Sequence, residues 1–342
     1  MKQKNHFIAL MLLSVFLISV LITSSMVYAN IDLSTSSVQQ QDDPSATPTP
    51  LTQNDMQLLS GNVLRPNGMV WHDGYLYVGC NGDFTIYRVD ATTGKTATYI
   101  SGIENVNMFI VEDRETEPVI WVPDFSRDTF TFIDRSQPLA SQRVDIVEGL
   151  DAPWGIVSLD DGTFLVSLFR AGEIVHITRE GNVQTMVTGF RSPTGIARDD
   201  EGYIYVANHT STRRSIEWYH QSESENGTLT DADMQQLVQG LQSTTNLVMG
   251  PDGYLYFAYA LGQRGIIGRV NPKECREKGG CTNFDVQPVV WTELQAPLVG
   301  LNITPDMRLF VHSQYGAEIY WVQLPNDMTI NIPSDDANAN GS

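Results

Sequence analysis

Basic residues are scarce in this chain. Twenty-one Lys and Arg stand against 40 Asp and Glu in 342 residues, a formal net charge of −19. A surface of that sign repels phosphate backbones, which argues against nucleic acid as a partner. Cysteine is scarcer still, with three residues, too few for a disulfide-framework scaffold. There is no HxH pair, no GxSxG and no strand–Gly-rich–helix unit. These absences remove a paired-histidine zinc site, a serine-hydrolase elbow and a nucleotide-binding loop. Long apolar runs are missing too, apart from one at the N-terminus.

That one run is charge-free from Phe7 to Asn30, is led by Lys2 and Lys4, and ends in Val27-Tyr28-Ala29. The pattern predicts a secretory signal peptide over 1–29 and an exported, extracytoplasmic protein. Left uncut, the run approaches the roughly 20 residues that span a bilayer and would anchor the chain to a membrane. Residues 30–54 are rich in Ser, Thr, Gln and Pro, and 326–342 are similarly polar. Both hold too little apolar surface to offset ordering entropy, so they are expected as a disordered linker and tail. Cys275 and Cys281 bracket the segment CREKGGC, which can close as a small disulfide loop in an oxidising compartment. Cys80 is expected as a small residue at a strand end and not as a reactive thiol.

Between 55 and 325 one module recurs six times. Its clearest copies are RPNGMVWHDGYLYVG (65–79), APWGIVSLDDGTFLVS (152–167) and SPTGIARDDEGYIYVA (192–207). Each copy holds four strand-like runs, and Asp73-Gly74, Asp161-Gly162, Glu201-Gly202, Asp252-Gly253 and Asp306-Met307 mark the turn between the first two. A repeat of this size is the mark of a propeller or solenoid. Only five fourth strands follow their third strands. MQLLSGNV (56–63) matches MQQLVQGL (234–241) and would supply the sixth from the front. The prediction is an all-β, six-bladed β-propeller of four-stranded blades, closed by an N-terminal strand that leaves no open edge at the seam.

The pattern over nearly all of 55–325 resembles NHL-repeat propellers and, more distantly, the regucalcin/gluconolactonase (SMP-30) group. That resemblance implies a central channel. The loops entering first strands and those joining second to third strands would share one face, which carries the ligand sites in those families. The residues just before the first strands are Asn67, Asn107, Trp154, Thr194, Asn246 and Leu298. The gluconolactonase group holds a divalent ion there with a glutamate, an asparagine and an aspartate. Asn67 in Asn67-Gly68-Met69-Val70-Trp71 is similar to that asparagine motif, but no carboxylate stands at the other five positions. Asn67, Asn107 and Asn246, with Asp124 from an adjacent loop, are the candidate ligands for calcium or another divalent cation. His209 and His312, at second-strand ends, are the candidate general bases, because NHL-type lyases use histidine at such positions.

The same face carries Arg127, Arg170, Arg213, Arg214 and Arg264, a locally basic mouth on an acidic molecule that suggests a small anionic ligand. Trp154 offers a flat apolar surface, and Tyr259 joins these as a ligand-binding candidate. Two functions are consistent with this reading. One is an exported propeller that binds a ligand or an extracytoplasmic protein. The other is a metal-dependent hydrolase, of the lactonase or esterase kind, or a lyase.

Overall fold

The computed structural model describes residues 49–224 and 227–325. The expected signal peptide, most of the linker and the tail lie outside the described residues. Six antiparallel sheets follow one another along the chain. Blade 1 comprises strands Pro66–His72, Tyr75–Cys80, Thr85–Asp90 and Thr96–Ser101. Blade 2 runs from Ile110–Glu112 to Arg143–Glu148 and blade 3 from Pro153–Ser158 to Val183–Thr188. Blade 4 runs from Pro193–Arg198 to Gln235–Gln239, and blade 5 from Leu247–Met249 to Gln287–Gln295. Blade 6 takes Leu298–Ile303, Arg308–Ser313 and Ile319–Gln323, and its fourth strand is Gln57–Ser60 from the front of the chain. Leu58 lies opposite Tyr320 in antiparallel register. The ring is a six-bladed β-propeller with its seam closed by the N-terminal strand.

The core is divided as that architecture requires. Each of six apolar clusters fills the gap between two neighbouring blades. Tyr77, Ile86 and Ile120 sit between blades 1 and 2, for example, and Val78 and Met69 meet Phe310 and Ile319 between blades 1 and 6. Second strands are the most deeply placed. All six residues of Val119–Asp124 are buried. Sealing an apolar side chain there contributes roughly 1.5–3 kcal/mol.

The turns between first and second strands need a positive φ. Gly162, Gly202 and Gly253 supply it near +80° to +90°, and Met307 takes the same conformation at +62° where the last copy lacks glycine.

Two elements add to the expected plan. Leu51–Thr52 forms a short parallel strand on Gln287–Gln295, so ordered chain begins before residue 55. Cys281–Thr282 pairs in parallel with Gln235–Gln239, on the outer edge of blade 4. The helix Pro272–Glu277 precedes it, capped by the Asn271 side chain. A Cys275–Cys281 disulfide ties the two. Arg276 reaches from this helix to Asp199 and the Tyr205 hydroxyl of blade 4. The cysteine loop thus fastens blade 5 to blade 4. Cys80 is buried and unpaired.

Candidate functional site

Asn67, Trp154, Thr194 and Leu298 lie at the start of first strands and Asn107 and Asn246 just before them, and most of these residues hold the blades together. The Gly68 amide donates to the Val106 carbonyl at 2.7 Å. A Cβ at Gly68 would lie 2.7 Å from the Asn107 carbonyl oxygen, so only glycine allows this approach. Thr194 Oγ1 donates to the Thr244 carbonyl at 3.0 Å. Thr245 Oγ1 donates to the Leu298 carbonyl at 2.7 Å, and Asn246 Nδ2 donates to the Val299 carbonyl at 2.6 Å. Asn67, Asn107, Thr194, Asn246 and Leu298 are all buried, whereas Trp154 is partly exposed.

Among the described residues no group of three or more His, Cys, Asp or Glu could hold a metal ion, and the candidate amides and Asp124 are partly committed to protein partners. Asn67 Nδ2 donates to Asn107 Oδ1 at 2.6 Å and to Asn105 Oδ1 at 3.0 Å. That leaves Asn67 Oδ1 free and presents the Nδ2 side of Asn107. Asp124 spends its carboxylate on its own loop. Its oxygens accept from the backbone amides of Glu104, Asn105, Ser126 and Arg127 at 2.9–3.3 Å. Burial pushes its pKa up, with those four donors acting in the opposite direction. Asn246, in blade 5, has its Oδ1 buried without a protein partner. One or two amide oxygens with no available carboxylate fit a hard dication poorly, because ligand charge sets much of its affinity.

The two histidines part company. His312 is fully buried against Gly300. Burial holds its pKa down at about 4, against a smaller opposing contribution from the backbone of Ser313 and Asn67. A ligand at the mouth does not reach it. His209 is only partly buried. Burial also lowers its pKa, the Thr244 backbone opposing, and Nδ1 has no protein partner. His209 Nδ1 and both His312 ring nitrogens are buried without a protein hydrogen-bond partner, and only the His209 ring as a whole is partly exposed.

The arginines are mostly neutralised where they stand. Arg127 pairs with Asp145 at 2.8 Å, and Arg170 with Asp128 at 2.5 Å and Asp151 at 2.7 Å. Arg214 pairs with the buried Glu217 at 3.1 Å, and Arg264 with Glu293 at 3.0 Å. Arg213 is exposed and has no ion pair among the described residues. Exposed pairs of this kind contribute about 0–1 kcal/mol each to stability, yet they cancel the local charge that would attract an anion. Tyr259 is partly buried and packs against the core between blades 4 and 5. Burial raises its hydroxyl to about 12.

The structure adds a feature that sequence reasoning missed. Phe125 and Phe169 directly follow second strands, at the repeat position that Asn81 and His209 occupy in blades 1 and 4. They join Trp154 in one aromatic cluster. The Trp154 and Phe169 rings stack with centroids 5.3 Å apart and planes at 24°. Phe125 meets both edge-on, at 5.5 and 5.8 Å. His209 adjoins Phe169 at 6.2 Å, and the Arg170 guanidinium lies 5.6 Å from the Phe125 ring centre. All four rings are partly exposed. The other half of the same face presents Leu64, Phe84, Leu261 and Tyr315, each 50–60% exposed. Aligning the copies at the residue after each second strand would have shown Phe125, Phe169 and His209 as one set.

No family model and no curated protein sequence matches the chain. Solved structures do match. A gluconolactonase from Xanthomonas campestris is similar at 14% identity with a TM-score of 0.61, over 79% of this chain and 89% of that one. The PQQ-bound aldose sugar dehydrogenase from Streptomyces coelicolor is similar at 15% identity with a TM-score of 0.56, over 79% and 97%. A virginiamycin B lyase from Staphylococcus aureus is similar at 14% identity with a TM-score of 0.50, over 76% and 82%. At these identities the likeness shows the fold, a six-bladed β-propeller, and does not transfer a site.

Proposed function

We propose that this chain is an exported binding propeller whose mouth takes a ring-bearing, largely apolar ligand or a partner protein presenting such groups. The aromatic cluster of Phe125, Trp154 and Phe169 beside His209 carries this reading. Partly exposed, mutually packed rings are a preformed surface with little conformational entropy left to lose. His209 adds one polar contact, and as a mostly neutral imidazole near pH 7 it recognises a hydroxyl or an amide without charge. The arginine pairs make an anion a weaker candidate than the sequence suggested, though Arg213 remains available to one. Export rests on the N-terminal sequence pattern.

The test is a tryptophan-fluorescence and thermal-shift screen of cyclic peptides, sugar lactones and aromatic esters, repeated with Trp154→Ala and Phe169→Ala. Ligands of the mouth lose at least about tenfold in affinity in both variants, the scale of a buried aromatic anchor. Hits unaffected by either substitution would remove this reading.

A second reading is a hydrolase or lyase, and the partly exposed His209 ring beside the aromatic cluster favours it. Gluconolactonase and lyase neighbours share the fold. Turnover of a hit, abolished in His209→Ala with binding retained, would select this reading.

A further inference from the structure

Three blades have their outer edges finished in one way. The segment before the fourth strand of one blade lies parallel on the fourth strand of the blade before it. Leu51–Thr52 lies on Val290 and Trp291 of blade 5, Cys281–Thr282 on Val238 and Gln239 of blade 4, and Leu229 on Val187 of blade 3. These segments share a pattern: LTQNDMQ (51–57), CTNFDVQ (281–287) and LTDADMQ (229–235). In each, the threonine amide and hydroxyl both donate to the aspartate three residues on. On blades 2 and 6 short turns take this place, with Gly181 against the Ile146 carbonyl and Gly94 against the Leu59 carbonyl.

Blade 1 is finished differently. The segment before the fourth strand of blade 2 lacks the pattern and turns through the 3-10 helix Leu139–Ser141. Among the described residues Thr96–Ser101 pairs with Thr85–Asp90 and with no other strand. Between this edge and the 135–143 segment lies a groove of about 570 Å³, whose lining includes Tyr99, Ile100, Ser101, Arg135, Leu139 and Arg143. Ser101 and Leu139 are exposed and Arg135 and Arg143 partly so, which opens the groove to solvent.

The register shows what this edge offers. Val187 faces Ile174 in blade 3 as Ile100 faces Ile86 in blade 1, and Thr188 and Ser101 are the next paired residues. On blade 3 the Leu229 amide donates to the Met186 carbonyl at 2.8 Å, and the Leu229 carbonyl accepts from the Thr188 amide at 3.0 Å. The equivalents on blade 1 are the Tyr99 carbonyl and the Ser101 amide. Two residues beyond Leu229, Asp231 packs on Gly189. Two beyond Cys281, Asn283 packs on Gly240. At the equivalent Gly102 the neighbour is the Arg143 guanidinium, which donates to the Gly102 carbonyl and has no ion pair among the described residues. Arg135 lies 4.7 Å over the Tyr99 ring, with its carboxylate partner Glu117 at 3.7 Å. The groove is thus locally basic on a chain of net charge −19, which favours an acidic occupant. An uncovered strand edge beside a cleft is the geometry of strand addition.

We infer that this groove binds an extended, acidic segment of a partner protein, added to blade 1 as a fifth strand parallel to Thr96–Ser101. The residue opposite Ile100 bonds the Tyr99 carbonyl and the Ser101 amide, and an acid two residues later meets Arg143. The groove lies on the outer edge of the ring and does not depend on the reading of the mouth.

The test is fluorescence anisotropy with a labelled peptide copying residues 228–236 (TLTDADMQQ), which places an acid two residues after its leucine. The peptide binds the protein, and more weakly as salt rises. Arg143→Glu lowers its affinity at least about tenfold, because like charges then meet. Leu229→Pro in the peptide, which removes the N–H for the Tyr99 carbonyl, also costs at least about tenfold. Asp231→Asn in the peptide costs about threefold, the scale of a partly exposed ion pair. Hydrogen exchange at the Ser101 amide slows when peptide is added, and Trp154→Ala leaves binding unchanged. Absence of binding overturns the proposal. So do equal binding of a scrambled peptide, binding undiminished by Arg143→Glu or by the proline peptide, and a Ser101 amide left unprotected. A dimer in sedimentation that Arg143→Glu dissolves would give the groove to a second copy of this chain and overturn it too.

Discussion

The Asn67 side chain donates to Asn107 Oδ1 across 2.6 Å, joining blades 1 and 2 at the channel wall. In the gluconolactonase-like reading Asn67 is a metal ligand. Here its donor side is spent on a neighbouring amide and only Oδ1 is left free. Asp124, the nearest expected carboxylate, is occupied by four backbone amides.

The melting temperature in excess calcium is therefore expected to match that in chelator to within about 1 °C, since only a tightly held ion shifts it by linkage. Asp124→Asn, by contrast, should cost about 1–3 kcal/mol through the loop amides it leaves poorly satisfied. Stoichiometric metal in the purified protein, with a melting point that drops in chelator, would reverse this and favour the metal-dependent hydrolase.

His312 makes stability depend on pH. Its folded pKa is about 4, against an ordinary value of 6.5, because burial disfavours the imidazolium. Between those values the unfolded chain takes up a proton that the folded chain refuses. The contribution is full above 6.5 and is lost as pH falls toward 4, amounting to as much as about 3 kcal/mol. Denaturation curves from pH 8 to pH 4 should show this slope, and His312→Gln should flatten it within the same window (both pH limits roughly bracketing it). An unchanged slope in the variant would place the titration elsewhere.

The thiols should report on the cysteine loop. Cys80 is buried, and burial raises its pKa to about 12, so no thiolate is available near neutrality. Native protein should not react with Ellman's reagent. Unfolding without reductant should release the one thiol of Cys80, since Cys275 and Cys281 are bonded. Replacing both loop cysteines by serine should cost roughly 2 kcal/mol, the chain-entropy expectation for so short a loop. It should also loosen the contact of Arg276 with Asp199 and Tyr205.

The seam strand should be indispensable. A chain of residues 49–325 keeps Gln57–Ser60 on blade 6, whereas one of 61–325 loses it and exposes the edge of Ile319–Gln323. The shorter chain is expected to melt roughly 10 °C lower and to associate through the open edge, as light scattering would detect. Equal melting points and a monomeric short chain would show that the closure contributes little.

The repeat in the sequence carried the fold almost entirely. Alternating strands, Asp-Gly turns and a displaced copy of MQQLVQGL each reflect local periodicity or spacing, which a sequence records directly. The six blades and the N-terminal closing strand were legible for that reason, and the six residues expected just before the first strands fall at or next to those strands' starts. The parallel strands at Leu51–Thr52 and Cys281–Thr282 were not, because two residues have no periodicity to read.

The site belongs to tertiary structure. Sequence position put His209 and His312 on the same footing, but packing against Gly300 buries one and leaves the other at the mouth. The arginines read as a basic cluster until folding set Asp145, Asp128, Asp151, Glu217 and Glu293 beside them. Phe125, Trp154 and Phe169 come from two blades and meet only when those neighbouring blades pack together. Local pattern determined which strands form. Long-range packing, which no short window contains, decided which side chains remain free to meet a ligand.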